Sequence, residues 1–552
     1  MRDANGVSGV FPVFRRGMFL TAIALSPSLY AQQEAAVEQP SAATEKQEEA
    51  PQKEQVASMV TIREYIVRGN TVLENREVEA AVSPFLGPEK NLDDIQSAQR
   101  ALQEIYQRKG YQSVYVDLPE QQVSGGVVYL QVTEVTVGRV RVVGAEHYSP
   151  LKIRREVRAL EEGKVPNFEL VQEDLTRVNR TGKRQVMPVV KEGAIPGTMD
   201  VDLTVEDQTP WSGSLTLNND YSADTEKLRT IATLGHSNLW QRGHSLSLTL
   251  FTAPQETDNA EVWSMSYGMP LSDRWSLRVS GYTSDSDVST VGGTKVLGKG
   301  HSYGVSATYS LPFDGVWGHS FSMGIDFKDF DESLEFGDVG DDIPLKYAPF
   351  TFEYSGYYYT DRNQGYLNLG LVTATDQFPS NGSGWREFDY KRYQANPDFA
   401  VFKVDASNEM QLNNWGLATT FGAQLASGSL VSNEQFAVGG AGTVRGYLSA
   451  EQSADDGVRA SIELRMPSFA DSLGAPWTLA RAHVFAEGAH LRLQNPLPEQ
   501  VDEFDLASVG VGLRAEIGAW LSGNLDFGYP LTEGANTEKH DPRVHFSITG
   551  SF

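Results

Sequence analysis

Alternation of apolar and polar residues dominates the second part of the chain. From Trp211 onward, short runs place apolar side chains at every second position, and turn residues separate the runs. The last run has an apolar face (Val544, Phe546, Ile548, Gly550, Phe552) and a polar face (His545, Ser547, Thr549, Ser551). A strand that separates lipid from a polar lumen requires this alternation. The pattern therefore predicts membrane-spanning β-strands.

Counting these runs gives sixteen strands. They are 211–219, 228–235, 244–252, 261–269, 275–282, 301–310, 319–328, 347–357, 365–374, 399–411, 415–426, 458–467, 477–487, 505–516, 520–528 and 542–552. An even number closes a bacterial outer-membrane barrel, and the alternation of short with long connections is typical of periplasmic turns and outer loops. The count predicts a barrel over 209–552. A soluble β-sandwich or a solenoid is the alternative interpretation.

Between residues 60 and 208 the spacing of apolar residues alternates between that of helices and that of strands, and the same order of helices and strands occurs twice. In 60–134 a strand (61–67) precedes two helices (77–85 and 92–109) and two strands (113–118 and 127–132). In 135–208 the same order is predicted from a strand at 137–143, helices at 151–160 and 167–179, and strands at 185–190 and 199–205. Such a repeat predicts two small α/β domains. Their exposed sheet edges suit strand addition by an extended peptide, and the alternative is two structural spacers.

The N-terminal residues are typical of an export signal. Arg15 and Arg16 precede an apolar run, 18–25, and cleavage after Ala31 fits the small residues there. A short buried helix is the alternative for residues 1–31. Residues 32–59 are rich in Gln, Glu, Ala and Pro and have too few large apolar side chains to form a core, which predicts a disordered periplasmic lead.

Composition excludes several classes of function. The chain has 72 acidic and 46 basic residues, a formal charge of −26, which argues against a nucleic-acid partner. It has no cysteine, so disulfides and thiolate sites are excluded. His236, His244 and His483 occur singly, and the sequence shows neither a catalytic triad nor a phosphate loop. We therefore expect no enzyme activity, no cofactor and no metal site. The acidic stretch 329–342 is interpreted as a solvated outer loop or, alternatively, a divalent-cation site.

The segment 427–457 connects the eleventh and twelfth runs and is therefore the sixth outer loop. It contains Val444-Arg445-Gly446-Tyr447, preceded by a glycine-rich stretch, 439–443. Glycine allows close backbone approach, and a desolvated guanidinium needs a carboxylate or carbonyl partner. The segment is either a loop that folds inward and docks, or a glycine-rich surface loop with a solvated arginine.

Several short motifs occur in an order that resembles a known family. They are 69–71, 106–111, 118–123 followed by Gly126, 237–243, 509–514 and 526–531. Together, over 60–552, they are similar to the haemolysin/adhesin secretion–activation transporters of two-partner secretion, in the outer-membrane assembly-factor superfamily. The resemblance implies α+β periplasmic POTRA repeats followed by a 16-stranded antiparallel transmembrane β-barrel, located in the outer membrane of a Gram-negative cell.

The resemblance also implies site residues. In the family the loop motif, here Val444, Arg445, Gly446 and Tyr447, folds back into the lumen. Its arginine is held by an acidic residue of the thirteenth strand, and the matching residues here are Phe485, Glu487 and Gly488, with Glu in place of the family's Asp. The predicted cargo-binding residues are Tyr111, Leu118, Pro119 and Gln121, and Phe552 is the predicted barrel-assembly signal.

The function implied is a protein-conducting pore that binds an unfolded exported protein in the periplasm and secretes it, with activation of that cargo left open. The expected partners are a large adhesin- or haemolysin-like exoprotein, the outer-membrane bilayer, and the barrel-assembly machinery for insertion of the chain itself. Two alternatives remain, a barrel-assembly or insertion factor of the same superfamily and a passive porin. Because 32–58 contains Pro40 and Pro51 and little apolar periodicity, a plug helix is not expected there.

Overall fold

The computed structural model describes residues 59–179, 183–223, 225–257, 260–286, 288–291, 294–297, 299–336 and 339–552. The predicted signal peptide (1–31) and lead (32–59), apart from Met59, lie outside the described residues, as do two residues of the acidic stretch. The described chain forms two compact units, one with the α/β domains and one with the barrel. Among the described residues, no helix is both long and apolar enough to cross a bilayer.

The first α/β domain is built around one amphipathic helix. In chain order its elements are β1 (Val60–Ile62), β2 (Glu64–Arg68), α1 (Asn75–Val82), a 3-10 turn (Ser83–Phe85), β3 (Gly87–Lys90), α2 (Leu92–Arg108), β4 (Val114–Asp117) and β5 (Val127–Glu134). The main sheet has the order β2-β5-β4, with β2 parallel to β5. Helix α2 begins with a reciprocal cap between Asn91 and Asp94 and buries Ile95, Ala98, Leu102 and Tyr106.

The prediction of one continuous strand over 61–67 is wrong, because the strand is interrupted at Arg63, between β1 and β2. The amides of Arg63 and Glu64 both donate to the carbonyl oxygen of Gly126, at 2.7 and 3.2 Å. Two successive amides that converge on one acceptor cannot keep the alternating directions of a strand. β1 therefore pairs with β3 in a separate two-stranded sheet.

The second α/β domain repeats the order of the first. It contains β6 (Thr136–Val143), α3 (Pro150–Glu156), α4 (Phe168–Asn179), β7 (Arg184–Glu192) and β8 (Thr198–Asp207), with the sheet order β6-β8-β7 and β6 parallel to β8. The helix predicted to reach residue 160 ends at Glu156, because the Ala159 amide donates instead to the Asp174 carboxylate, at 2.9 Å.

Ion pairs connect all three strands of that sheet. Asp202 of β8 accepts hydrogen bonds from Arg141 of β6, at 2.8 Å, and from Lys191 of β7, at 2.6 Å. These bonds, that of Arg141 first, lower the pKa of Asp202 to about 2. The carboxylate is therefore ionised at any physiological pH and connects the strands electrostatically.

The predicted barrel of sixteen antiparallel strands is confirmed, and pairing of the last strand with the first closes it. Barrel strands 1 to 8 are Trp211–Asn218, Arg229–Leu239, His244–Thr252, Ala260–Pro270, Trp275–Ser286, Lys299–Ser310, Trp317–Phe336 and Val339–Tyr359, the eighth interrupted at Ala348 and Pro349. Barrel strands 9 to 16 are Asn363–Ala374, Phe399–Leu412, Trp415–Ala426, Asp456–Arg465, Trp477–Arg492, Glu503–Ile517, Leu521–Pro530 and Arg543–Ser551.

Short elements lie in the connections between barrel strands. They are a hairpin (Val288–Val291 and Thr294–Leu297), a helix in the fifth outer loop (Trp385–Lys391), a 3-10 turn (Ser432–Glu434) with two short strands (Phe436–Val438 and Gln452–Ala454) in the sixth, and a helical turn (Ala470–Leu473) between barrel strands 12 and 13. The sixth outer loop thus spans 427–455, and barrel strand 13 continues five residues beyond its predicted end at 487.

Tryptophan side chains mark one end of the barrel. Five odd-numbered strands begin at a tryptophan and two more tryptophans lie in short turns at the same end: Trp211, Trp275, Trp317, Trp415, Trp477, Trp240 and Trp520. All seven are exposed. Because tryptophan concentrates at membrane interfaces, this end, which carries the short turns, lies at one boundary of the bilayer.

Candidate functional site: the sixth outer loop inside the barrel

The sixth outer loop, 427–455, folds into the barrel rather than away from it. Val444 and Tyr447 have no exposed surface, and Arg445 is 5% exposed. Gly446 adopts φ +97°, a conformation that costs a side-chain-bearing residue energy. Glycine at this position therefore lets the chain turn so that Arg445 and Tyr447 reach different parts of the wall.

The structure brings Arg445 and Glu487 of barrel strand 13 together. One carboxylate oxygen, Oε1, accepts from Arg445 Nε at 2.9 Å and from Nη2 at 2.6 Å. The other oxygen, Oε2, accepts from the backbone amide of Arg445 at 2.6 Å. Glu487 therefore fixes the loop backbone as well as the guanidinium, and the reach of its longer side chain serves both contacts.

Two further carboxylates and an aromatic ring complete the surroundings of Arg445. Its Nη1 lies 2.9 Å from Glu463 of barrel strand 12 and 3.2 Å from Asp526 of barrel strand 15. Its Cζ lies 3.5 Å from the centre of the Phe485 ring, a cation–π contact. The guanidinium is thus held by three barrel strands at once.

The group is close to balanced in charge, which makes its burial feasible. Arg514 and Arg465 both contact Glu463, at 2.9 and 2.7 Å, so three guanidinium groups face three carboxylates. His483, fully buried, lies 2.6 Å from Asp526. Buried charges require this kind of pairing because their desolvation is costly. We call the side chains of Arg445, Glu463, His483, Phe485, Glu487, Arg514 and Asp526 the latch cluster.

Glycines on the facing strands leave the room that the latch cluster occupies. A methyl group at Gly510 would lie 2.2 Å from the Phe485 ring, and one at Gly512 would lie 2.1 Å from Asp526 Oδ1. A methyl group at Gly528 would lie 2.5 Å from the amide nitrogen of Gly446. All three distances are impossible for real side chains, so these glycines are needed for docking of the loop.

The remaining motif residues make contacts of their own. The Gly446 amide donates to His545 Nε2 of barrel strand 16, at 2.9 Å. The Tyr447 hydroxyl lies 2.9 Å from the carbonyl oxygens of both Ala507 and Thr532. Gly488 lies between Ala460 and Ala507 in the strand ladder and adds no side chain to the cluster. The motif thus contacts barrel strands 12 to 16.

Arg445, Phe485 and Glu487 were predicted as site residues from the sequence, whereas Glu463, His483, Asp526 and His545 were not predicted to take part in the site. A signal existed for two of them. His483 has the same strand parity as Phe485 and Glu487, and Asp526 begins one of the short motifs that carried the resemblance. Nothing in the alternation distinguishes Glu463 or His545 from the other polar residues that face the lumen.

The predicted cargo-binding residues lie in the first α/β domain, where some support the fold. Tyr111 and Leu118 pack against its apolar core. The Gln121 side chain donates to the Tyr129 carbonyl oxygen on β5 at 2.7 Å and accepts from the Tyr129 backbone amide at 2.8 Å. The Gln121 Nε2 group also donates to the Pro119 carbonyl oxygen. Their role in cargo binding stays a prediction.

Three of the four edges of the two main sheets are bonded to other parts of the chain. On β4, Gln103 bonds to the Val116 amide and the Val114 carbonyl group, and Gln99 bonds to the Val116 carbonyl group. On β6, Val137 exchanges backbone hydrogen bonds with the segment 163–164. On β7, the Asn179 side chain bonds to the Val186 amide and carbonyl group, at 2.7 and 3.0 Å. The strand β2 forms the fourth edge.

Phe552 pairs with the start of barrel strand 1. It exchanges backbone hydrogen bonds with Gly213, at 3.0 and 3.2 Å, and its ring covers that glycine, where a methyl group would lie 2.2 Å away. Phe552 as a whole is 77% exposed. The terminal residue therefore extends the seam between the first and last strands.

Comparison with known proteins agrees with this architecture. A family model described as haemolysin secretion/activation protein ShlB/FhaC/HecB matches residues 197–515, and one described as POTRA domain, ShlB-type, matches residues 60–134. Outer membrane transporter CdiB of Dickeya dadantii (strain 3937) is 22% identical over 519 residues, or 89% of this chain and 86% of the relative.

Two solved structures show the same fold. CdiB from Escherichia coli has a TM-score of 0.62 at 20% identity, covering 91% of this chain and 93% of that one. BamA from Haemophilus ducreyi lacking POTRA domains 1–3 has a TM-score of 0.54 at 17% identity, covering 89% and 100%. The predicted fold class and outer-membrane location are confirmed. Since the first family model spans more than half of the chain, the protein belongs to the haemolysin secretion/activation (ShlB/FhaC/HecB) family, the outer-membrane transporters of two-partner secretion.

Proposed function

We propose that this transporter secretes one large adhesin- or haemolysin-like exoprotein and that the latch cluster holds its pore closed. The observation that carries the proposal is the docking of Arg445, inside the barrel, on carboxylates of three barrel strands. A polypeptide that crosses the lumen must displace a loop held in this way. Release of Arg445 is therefore the step that opens the route.

The energetics suit a gate that stays closed without cargo. Removing one partner of a buried ion pair costs ~3–5 kcal/mol, because the other charge stays buried. Arg445 keeps its charge balance only while it stays on Glu487, Glu463 and Asp526. Spontaneous opening is thus rare, and binding of cargo supplies the compensating contacts.

Cargo binding is assigned to the α/β domains. An unfolded chain adds as a strand where a sheet still has a free edge, which favours β2 because β4, β6 and β7 are bonded to other parts of the chain. Tyr111, Leu118, Pro119 and Gln121 then act mainly by supporting the first domain. The barrel-assembly machinery that inserts this protein reads Phe552 at the seam.

The proposal is tested by secretion in cells. Arg445→Ala and Glu487→Ala are compared with Arg274→Ala, which removes an exposed guanidinium that contacts Tyr309 in a short turn. The neighbouring genes are searched for a large exported protein, and this candidate cargo is measured in the medium and corrected for the amount of transporter in the outer membrane. We expect both latch variants to change secretion several-fold while the control does not. Normal secretion by both variants would refute the latch.

Assembly of other barrels is the second candidate function, because BamA from Haemophilus ducreyi shares the fold of this chain. The two functions differ in what deletion of the gene removes. Loss of one exported protein with unchanged outer-membrane barrels supports secretion. A general loss of outer-membrane barrels would support assembly instead.

A further inference from the structure

A second buried charge attaches the sixth outer loop to the barrel, away from the latch cluster. Glu434 lies in the 3-10 turn Ser432–Glu434 and is 3% exposed. Its Oε1 lies 2.5 Å from Lys328 Nζ on barrel strand 7 and accepts a hydrogen bond from the Tyr347 hydroxyl on barrel strand 8 at 2.8 Å. Glu434 thus connects the first half of the loop to two strands that the Val-Arg-Gly-Tyr motif does not touch.

The two attachments use separate parts of the barrel wall. In the closed ring of sixteen strands, barrel strands 7 and 8 lie four to eight positions from barrel strands 12, 13 and 15, which hold Arg445. Arg445 follows Glu434 by eleven positions in the chain, and a chain of that length spans up to ~36 Å when extended. One loop is therefore fixed to the wall at two separate places.

The surroundings of Glu434 are built to hold a carboxylate. The Gln424 side chain fixes the backbone of this turn by donating to the Glu434 carbonyl oxygen at 3.0 Å. Lys403 adds a second positive charge in the vicinity. A buried carboxylate is tolerated only with such partners, so the site is specific for an acidic residue of the loop.

We propose that Lys328 and Tyr347 are positioning residues that hold the first half of the sixth outer loop against barrel strands 7 and 8, a role that rests on the proposed gating by this loop. Docking of Arg445 fixes the tip and docking of Glu434 fixes the base. Opening then requires both attachments to release, and loss of the Glu434 attachment alone leaves the loop hinged at its tip. The partner class is an acidic side chain of the protein's own loop.

The experiment measures ion conductance of the purified full-length protein in planar lipid bilayers with potassium chloride. Tyr347→Phe is compared with Tyr358→Phe, which removes the same hydroxyl from the same barrel strand but breaks a bond to Asn408 of the barrel wall. Lys328→Met is compared with Lys299→Met, which removes an exposed ammonium group that lies 2.8 Å from Asp285 of the neighbouring barrel strand. We expect open events several-fold more frequent in Tyr347→Phe and Lys328→Met, and unchanged in both controls.

Exchange of the two charges tests whether the effect of Lys328→Met comes from the lost ion pair or from a general disturbance of the barrel. Lys328→Glu combined with Glu434→Lys restores the ion pair in reverse, and we expect its open frequency to fall back toward that of the unaltered protein. Open frequencies of Tyr347→Phe and Lys328→Met equal to those of their controls would overturn the second attachment. That result would leave the proposed function standing if Arg445→Ala still alters secretion, so the two failures are distinguishable.

Discussion

The two attachments of the sixth outer loop use different chemistry. At the tip, one arginine meets three carboxylates and a ring, and it donates from Nε, Nη1 and Nη2. At the base, one carboxylate meets a lysine and a tyrosine hydroxyl. A guanidinium is a planar fork with fixed donor directions, whereas an ammonium is a compact charge on a flexible stem. The tip is therefore fixed in orientation, and the base is fixed mainly in distance.

The contrast indicates which attachment controls the proposed opening. Arg445 bonds to three carboxylates from one rigid group, so its departure breaks all three contacts together. A point charge can shift and form again without loss of its other partners. We infer that the tip determines whether the loop is docked and that the base limits how far it moves once it is released.

The largest effect is expected from Arg445→Ala. It leaves Glu487, Glu463 and Asp526 buried without their shared cation, which costs ~3–5 kcal/mol of docking energy. The loop should then spend much of its time undocked and be cleaved rapidly by proteinase K added to intact cells. Cleavage no faster than in Arg274→Ala would show that the tip does not hold the loop.

Gly512→Ala should act on the same attachment from the wall side. Its added methyl group would lie 2.1 Å from Asp526 Oδ1 and 2.4 Å from His483 Nε2, so the latch cluster must rearrange. Gly523→Ala is the matched control, since its nearest contact is at 3.9 Å. We expect faster loop cleavage only in Gly512→Ala, somewhat less than in Arg445→Ala. Equal rates in the two glycine variants would contradict the tight packing at the tip.

Conservative exchanges compare the two attachments directly. Arg445→Lys keeps the charge but loses the fork, so a lysine can serve only part of the group formed by Glu487, Glu463 and Asp526. Lys328→Arg keeps the positive charge at the base, where the contact with Glu434 depends on distance rather than on orientation. We therefore expect Arg445→Lys to behave as a milder form of Arg445→Ala, and Lys328→Arg to retain normal bilayer conductance. The reverse ranking would invalidate the contrast between tip and base.

The smallest effect is expected from Ser461→Ala. Ser461 donates to Glu487 Oε1 at 3.0 Å, alongside the stronger bonds from Arg445. A single hydrogen bond of this kind contributes roughly 0.5–1.5 kcal/mol. Loop cleavage should rise only slightly. An effect as large as that of Arg445→Ala would mean that Glu487, rather than Arg445, organises the cluster.

The barrel could be predicted from the sequence because its signal is local. Alternation with a period of two shows each strand and each outward face, and the order of connections places Arg445 in the sixth outer loop. The pairing of Arg445 with Glu487 came from family resemblance, and the structure adds that Glu487 Oε2 also holds the loop backbone. The alternation of residues along the strands does not predict that contact.

The parts that sequence reasoning missed depend on contacts across the lumen. Lys328 and Glu434 lie 106 residues apart and meet only because the barrel closes. Glu463 resembles any other polar residue on an inward face until the loop is docked. The edge of β4 is covered by Gln103 of α2. In the sequence, Gln103 is indistinguishable from an ordinary exposed residue of a helix. In each case the contact joins residues from elements distant in sequence, and the alternation of apolar and polar residues does not predict which elements meet.

The most direct measurement of the central claim is a reversible lock on the latch. The chain has no cysteine, so Arg445→Cys combined with Glu487→Cys provides the only thiols, and a short disulfide-containing bis-maleimide can bridge them across the space that the two longer side chains vacate. Secretion of the exported protein is measured after treatment with this reagent and again after reduction of the bridge, with each single-cysteine variant as control. We predict that the bridge stops secretion in the double variant alone and that reduction restores it. Undiminished secretion through the bridged protein would contradict gating by the latch cluster.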